Sequence, residues 1–141
     1  MSMKATSRLT GAGARSEVDV NGRHVIVTDE PVRLGGTDAG PAPHELLPAA
    51  VAACVTTTLG MYAHTKGWDI GEIVVDVEYD NEAVPRRLQI DVRVPDTLAP
   101  AQIERLERVA RTCPIRRALD AGFVFEERLI TEPRDLPHQA A

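Results

Sequence analysis

The segment 46–63 constrains the fold of this chain most strongly, because it contains no charged residue. Pro43 suits the first turn of a helix and Gly67 is typical of a helix end, so the sequence predicts one long helix over residues 43–66. Such a helix is apolar on nearly every side, and a chain this small needs more cover than one sheet supplies. We therefore expect a homodimer that buries it.

A membrane-spanning helix is the alternative interpretation of the same segment, since its length reaches the lower limit for crossing a bilayer. Pro48, Gly60 and the threonines at 56–58 make it only weakly hydrophobic for a lipid environment. The N-terminus lacks the apolar stretch that secretory signals carry. We expect a cytoplasmic protein with no membrane contact.

The remaining segments predict an α+β chain, in which strands and helices are segregated. Asn21-Gly22 between alternating β-branched runs is a strong hairpin signal, with strands at 15–20 and 23–28. The segment 34–43 is rich in glycine and proline and predicts an irregular loop. The other predicted elements are a strand at 4–9, strands at 70–80 and 86–94, helices at 101–111 and 114–121, and a final strand at 123–130.

Composition limits the size and the partners of this protein. Its 141 residues predict one domain over 1–141, with a loose tail at 132–141. The net charge of -5 provides no domain-wide basic field, so we expect no nucleic-acid binding. Two cysteines without a secretory signal suggest a reducing compartment, where a persistent structural disulfide is not expected. The thiols are then either inert core residues or a redox pair.

Cys54 and Cys113 are the candidate reactive groups. Cys54 lies midway along the long predicted helix, where a cysteine taken alone is typical of a small apolar core residue. Cys113 lies at a helix break directly before Pro114, and free amide groups at the start of the following helix would lower the pKa of a nearby thiol. The histidines and cysteines are too scattered for a zinc site, and we expect neither a metal nor a cofactor.

The residues around both cysteines resemble the OsmC/Ohr family. The first motif is Pro43-His44-Glu45-Leu46-Leu47 followed by an alanine-rich run that ends at Cys54. Cys113-Pro114 is similar to the second-cysteine motif of the family, a Cys-Pro pair that opens a helix, and the glycine-rich loop at 35–40 also matches in character. The resemblance implies an OsmC-like fold: an intertwined homodimer with central helices wrapped by curved antiparallel sheets and active sites at the subunit interface.

The resemblance also implies a thiol-dependent peroxidase that reduces organic hydroperoxides. Cys54 matches the peroxidatic position, where a thiolate attacks the O–O bond and becomes a sulfenic acid. Cys113 matches the resolving position, which condenses with that sulfenic acid to a disulfide. An external dithiol, such as a lipoylated protein, then reduces the disulfide.

A cation is required beside a thiolate in an apolar site, because it offsets the desolvation of the negative charge. In the family this cation is an arginine on the loop before the first-cysteine helix, and Arg33 is best placed for that role. Arg15 and Arg23 on the N-terminal strands are the competing assignments.

The catalytic glutamate of the family directly follows the proline, but that position here is His44. The carboxylate comes one residue later, at Glu45, which we take as the catalytic glutamate of this chain. One residue turns a helical side chain by about 100°, so Glu45 would approach the arginine from a different direction. This shift leaves an alternative open: an OsmC-fold ligand-binding or stress-adaptor protein without efficient peroxidase turnover.

Overall fold

The computed structural model describes residues 2–11 and 13–133, which form two antiparallel sheets and three α-helices. The strands are β1 (Ala5–Leu9), β2 (Ser16–Val20), β3 (His24–Thr28), β4 (Val74–Asp80) and β5 (Arg87–Arg93). The helices are α1 (Pro43–Lys66), α2 (Pro100–Ala110) and α3 (Pro114–Ala121), with a 3-10 turn at Val32–Leu34. The α+β class is confirmed. The predicted loose tail falls mostly outside the described residues.

The Asn21-Gly22 hairpin is confirmed. Both residues have left-handed backbone conformations, with φ of 56° and 69°, as the two central residues of a type I′ turn require. The turn sets an antiparallel register between β2 and β3, and β1 pairs with the other edge of β2. This first sheet makes few contacts with the helices, and it leaves Val25 and Ile26 exposed.

Helix α1 has the predicted bounds and ends at Gly67, whose φ of 65° lies in the left-handed region that favours glycine. Its buried residues recur every four positions and therefore share one face. They are Val51, Val55, Leu59 and Ala63. This face packs against β4, α2 and α3. Much of the opposite face is exposed in the single chain, including Ala49, Ala53 and Met61.

The exposed surface of α1 is less polar than its composition suggests. The hydroxyls of Thr56, Thr58 and Thr65 each donate a hydrogen bond of 2.8–2.9 Å to a backbone carbonyl one turn earlier. Among the described residues, α1 is the one helix long and apolar enough to cross a membrane by length and composition. The core helix of a soluble protein meets the same criteria, and one face of α1 is packed against the rest of the chain.

The second sheet, β4 and β5, covers the buried face of α1. Val75 faces Val92 and Val77 faces Ile90 across the two strands, and these side chains pack against the core cluster. Most of the alternate positions carry charged residues, as expected of a sheet with one solvated face. The strand predicted at 70–80 starts four residues later than expected, after Gly71, whose φ of 60° is incompatible with a strand.

Helices α2 and α3 lie within one residue of their predicted bounds. Leu106 and Val109 of α2 are buried in the core cluster. Cys113 joins the two helices: its amide N–H donates to the Ala110 carbonyl at 3.3 Å, and its carbonyl accepts from the Arg117 amide at 3.0 Å. The helix break that the sequence predicted at Cys113 is confirmed.

The prediction of a strand at 123–130 was wrong for the single chain. These residues have no strand pairing, and their apolar side chains are exposed, with Phe125 at 79% and Leu129 at 95%. A strand needs a hydrogen-bonded neighbour, and the described part of this chain places none beside the segment. The sequence pattern favours an extended segment but does not specify where its partner lies.

Candidate functional site

Cys54 and Cys113 lie 59 positions apart in the sequence, and the fold brings them together. Cys54 comes from the middle of α1 and is partly exposed, whereas Cys113 precedes α3 and has no solvent exposure. Both are free thiols packed in the core cluster. The two side chains therefore meet where the middle of α1 packs against the junction between α2 and α3.

The environment of Cys113 suppresses its ionisation. Burial is the main cause that raises the pKa of the Cys113 thiol, and interaction with the Cys54 side chain raises it further. The backbone amides of Ile115 and Arg116, at the start of α3, lower it. The sequence predicted this lowering by the helix start; the net shift is nevertheless upward, because desolvation outweighs the amides. Cys113 is thus a protonated thiol held beside Cys54.

An apolar groove of about 540 Å³ lies between α1, β5 and α2. Its residues include Val55, next to Cys54 in sequence, and Ala110, which accepts the Cys113 amide hydrogen bond. The apolar lining consists of Val55, Ile90, Val92, Val94, Ile103, Leu106 and Ala110. Arg111 and Arg116 lie at its polar side together with Glu107, which pairs with Arg111 at 2.9 Å. The sequence analysis did not single out these two arginines, because nothing in their spacing predicts that α2 and α3 bring them to one groove.

The three arginines proposed from the sequence lie on the first sheet and its loop. Arg33 is in the 3-10 turn, while Arg15 and Arg23 flank β2 and β3, and all three are exposed. No described hydrogen bond or ion pair joins any of them to Cys54 or Cys113. Within one chain, the fold assembles the two thiols but not the thiol–arginine pair.

Glu45 begins α1 as a capping residue. Its carboxylate accepts a hydrogen bond of 2.8 Å from the backbone amide of Ala42, and the side chain is exposed. His44, beside it in the first turn, is also exposed. A carboxylate three residues after an N-cap position is a recognisable capping signal, but an alanine at the N-cap hides the usual pattern.

Asp29 is a buried charge that sequence reasoning missed. It follows β3, is 1% exposed, and accepts four hydrogen bonds of 2.6–3.2 Å. The donors are the amides of Glu30, Thr37 and Ala39 and the hydroxyl of Thr37. The Thr37 hydroxyl is the main cause that lowers the pKa of Asp29 to about 2, and the three amides add to it against the opposing effect of burial.

No cluster of three or more His, Cys, Asp or Glu side chains that could hold a metal ion occurs among residues 2–11 and 13–133.

The family model for OsmC-like proteins matches residues 36–128, which include both cysteines. The chain belongs to the OsmC family. No curated protein matches it significantly.

Solved structures of OsmC-family proteins share its fold. A protein of Psychrobacter arcticus 273-4, described as an osmotic stress induced and detoxification response protein, is 27% identical, with a TM-score of 0.65 over 79% of this chain and 85% of that one. An OsmC like protein from Mycoplasma pneumoniae is 18% identical, with a TM-score of 0.70 over 85% and 88%. An organic hydroperoxide resistance protein from Legionella pneumophila is 21% identical, with a TM-score of 0.59 over 84% and 89%. The predicted OsmC-like fold is confirmed for the single chain, and the intertwined homodimer stays a prediction.

Proposed function

We propose that this OsmC-family protein is a cytoplasmic thiol peroxidase that reduces organic hydroperoxides through Cys54 and Cys113. The observation that carries the proposal is the meeting of two free thiols from α1 and the α2–α3 break. Neither thiol lines the apolar groove, but Val55, which follows Cys54, and Ala110, which accepts the Cys113 amide hydrogen bond, do. An inert core cysteine needs no second thiol as its neighbour. Membership of a family that includes organic hydroperoxide resistance proteins supports the same activity.

The unequal exposure of the thiols supports their separate roles. Cys54 is partly exposed, so an incoming peroxide can reach its sulfur. Cys113 is fully buried and its raised pKa keeps it protonated, so it is a poor nucleophile toward an oxidant from solvent. Cys54 is therefore the peroxidatic residue and Cys113 the resolving one.

The proposed cycle has three balanced steps. The Cys54 thiolate attacks the terminal oxygen of the hydroperoxide; an S–O bond forms, the O–O bond breaks, and the alkoxide leaves as the alcohol after protonation. The Cys113 sulfur then attacks the Cys54 sulfenic acid, so that an S–S bond forms and water leaves with the thiol proton. An external dithiol, for which a lipoylated protein is the expected carrier, reduces the disulfide and is itself oxidised.

Arg33 and Glu45 complete the proposal as residues that approach Cys54 in a homodimer. Two exposed apolar regions support the dimer: the outer face of α1 and the segment 123–130. Monomeric proteins rarely expose large contiguous apolar surfaces. Because Arg33 lies on an exposed turn, assembly of a second subunit is the event that we expect to bring a cation to the thiolate.

A ligand-binding or stress-adaptor protein is the second candidate function. The capping hydrogen bond of Glu45 to Ala42 favours it, since a carboxylate held at the helix start has a structural use independent of catalysis. Such a protein would keep the groove and the fold but would not turn over peroxide.

Thiol titration after one equivalent of cumene hydroperoxide separates the two candidates. The peroxidase loses both thiols within seconds and gains a Cys54–Cys113 disulfide that mass spectrometry identifies. Cys113→Ser should complete one turnover and stop as a sulfenic acid, and Cys54→Ser should consume no peroxide. Unreacted thiols in the wild-type protein would support the binding protein, and loss of the first turnover in Cys113→Ser would reverse the two roles.

A further inference from the structure

The loop between β3 and α1 is closed by hydrogen bonds to its first two residues, Asp29 and Glu30. Besides the carboxylate contacts of Asp29, the Asp29 amide donates to the Pro41 carbonyl at 3.2 Å, and the Asp38 amide donates to the Glu30 carbonyl at 3.1 Å. Both ends of the loop are thereby fixed against β3. We call residues 29–41 the clasped loop.

Two glycines show how tightly the clasped loop is packed. A Cβ atom at Gly36 would lie 1.8 Å from the Glu30 carbonyl oxygen and 2.8 Å from Oδ1 of Asp29. A Cβ atom at Gly40 would lie 2.3 Å from the Val27 carbonyl oxygen. Real side chains do not approach backbone so closely, so the loop backbone rests directly on the carboxylate and on β3.

Arg33 lies at the tip of this loop, on the 3-10 turn. The turn is closed by the Leu34 amide, which donates to the Pro31 carbonyl at 2.8 Å, and by the Gly35 amide, which donates to the Val32 carbonyl at 3.0 Å. The buried Asp29 carboxylate lies close to Gly36, two residues after the turn ends at Leu34. A buried anion is costly unless several donors satisfy it, so the four hydrogen bonds couple the loop conformation to the charge of one side chain.

We propose that Asp29 is a positioning residue that holds the clasped loop in the one conformation from which Arg33 can serve the Cys54 thiolate. Asp29 acts only through Arg33 and touches neither substrate nor thiol, and this inference rests on the proposed peroxidase function. Displacement of a positioned catalytic group by about 1 Å can reduce a rate by up to about a hundredfold. Asp29→Asn removes the charge and turns one acceptor oxygen into a donor, which faces either the Glu30 amide or the amides of Thr37 and Ala39.

The test compares substitutions in the clasped loop in the presence and in the absence of Arg33. The variants are Asp29→Asn, Thr37→Val and the conservative control Thr37→Ser, each alone and combined with Arg33→Met. Two rates are measured in the full chain: the first-turnover oxidation of Cys54 by cumene hydroperoxide, and the alkylation of Cys54 by iodoacetamide, located by mass spectrometry. Circular dichroism establishes that each variant is folded, and Thr37→Val covers the case in which Asp29→Asn fails to fold.

Asp29→Asn and Thr37→Val should slow both rates by roughly ten- to a hundredfold, while Thr37→Ser, which keeps the donated hydroxyl, should stay within about twofold of the wild type. In the Arg33→Met background the clasp substitutions should have no further effect, because they act through the same guanidinium. A purely structural role would lower the melting temperature without this coupling.

The positioning role would be overturned if Asp29→Asn or Thr37→Val slowed the two rates further in the Arg33→Met background. It would also be overturned if Arg33→Met alone left the alkylation rate at the wild-type value. Failure of the peroxidase function looks different: the wild-type protein would consume no peroxide, yet alkylation of Cys54 would still report the coupling between Asp29 and Arg33.

Discussion

The two sheets of this protein have similar strand pairing but different surroundings. Sheet β4–β5 lies against the buried face of α1, and its inward residues belong to the core. Sheet β1–β3 has few contacts with the helices, and Val25 is 64% exposed. The covered sheet belongs to the part of the chain that builds the cysteine pair, while the uncovered sheet carries the clasped loop and Arg33. The cysteine pair is thus assembled within one chain, whereas the proposed cation depends on what covers the first sheet.

Leu59→Ala gives the largest expected effect, because it removes a side chain from the core between α1 and sheet β4–β5. Leu59 is fully buried at the centre of the α1 face, and its truncation should lower the free energy of unfolding by about 2–5 kcal/mol through lost burial and the cavity left behind. Urea denaturation measures this loss. Thr57→Ala, at an exposed position of the same helix, is the matched control and should change stability far less. Equal losses would mean that the described face of α1 is not the principal core.

Phe125→Ser tests whether the uncovered regions are covered by a second copy of the chain. Phe125 is 79% exposed in the single chain, and burial of a large apolar side chain contributes about 1.5–3 kcal/mol. Each buried copy of Phe125 lost should therefore weaken dimerisation roughly ten- to a hundredfold, and a homodimer loses two copies. Sedimentation velocity across a concentration series measures the change, with Glu126→Gln as the control in the same segment. A wild-type protein that sediments as a 15.3 kDa monomer at micromolar concentration would remove the dimer from the proposal.

Differential alkylation tests the unequal accessibility of the two thiols that pack with the covered sheet. With iodoacetamide at about pH 8, Cys54 should react at least about tenfold faster than Cys113, because Cys113 is fully buried and its pKa is raised. Peptide mass spectrometry distinguishes the two sites. Urea should remove the difference by exposing both thiols. A faster reaction at Cys113 in the folded protein would contradict the assignment of the resolving role.

The smallest expected effect concerns the acid stability of the clasped loop. The folded-state pKa of Asp29 is lowered from 3.8 to about 2, so its contribution to stability is complete above the unfolded pKa and is lost as the pH falls from about 4 toward 2. Thermal unfolding in this window should show a steeper pH dependence for the wild type than for Asp29→Asn. Parallel curves for the two proteins would show that the carboxylate does not ionise as described.

Local signals explain which elements the sequence predicted well. Asn21-Gly22 specifies its turn through the backbone conformation of these two residues. Pro43, Gly67 and Pro114 lie at or next to the helix ends that they determine. These determinants act along the chain, and therefore α1, α3 and the first hairpin agree with the prediction.

Features that depend on distant partners were harder to predict. The segment 123–130 has an extended sequence pattern, but a strand exists only where another strand can pair with it. Asp29 looks like an ordinary residue at the end of a strand, because its donors come from up to ten positions later and only the folded loop brings them together. For the cysteines, the family motifs predicted the roles, but the balance between burial and helix amides at Cys113 required the packing around it.

The hydrogen bonds of the α1 threonines affect how association through this helix depends on salt and temperature. Because Thr56 and Thr58 return their hydroxyl hydrogens to the helix backbone, they present mainly methyl groups on a surface that carries no charge from 46 to 63. An association through this surface has no ionic contacts for dissolved salt to screen. Its strength should therefore change little with ionic strength and should decline on cooling, as hydrophobic contacts do.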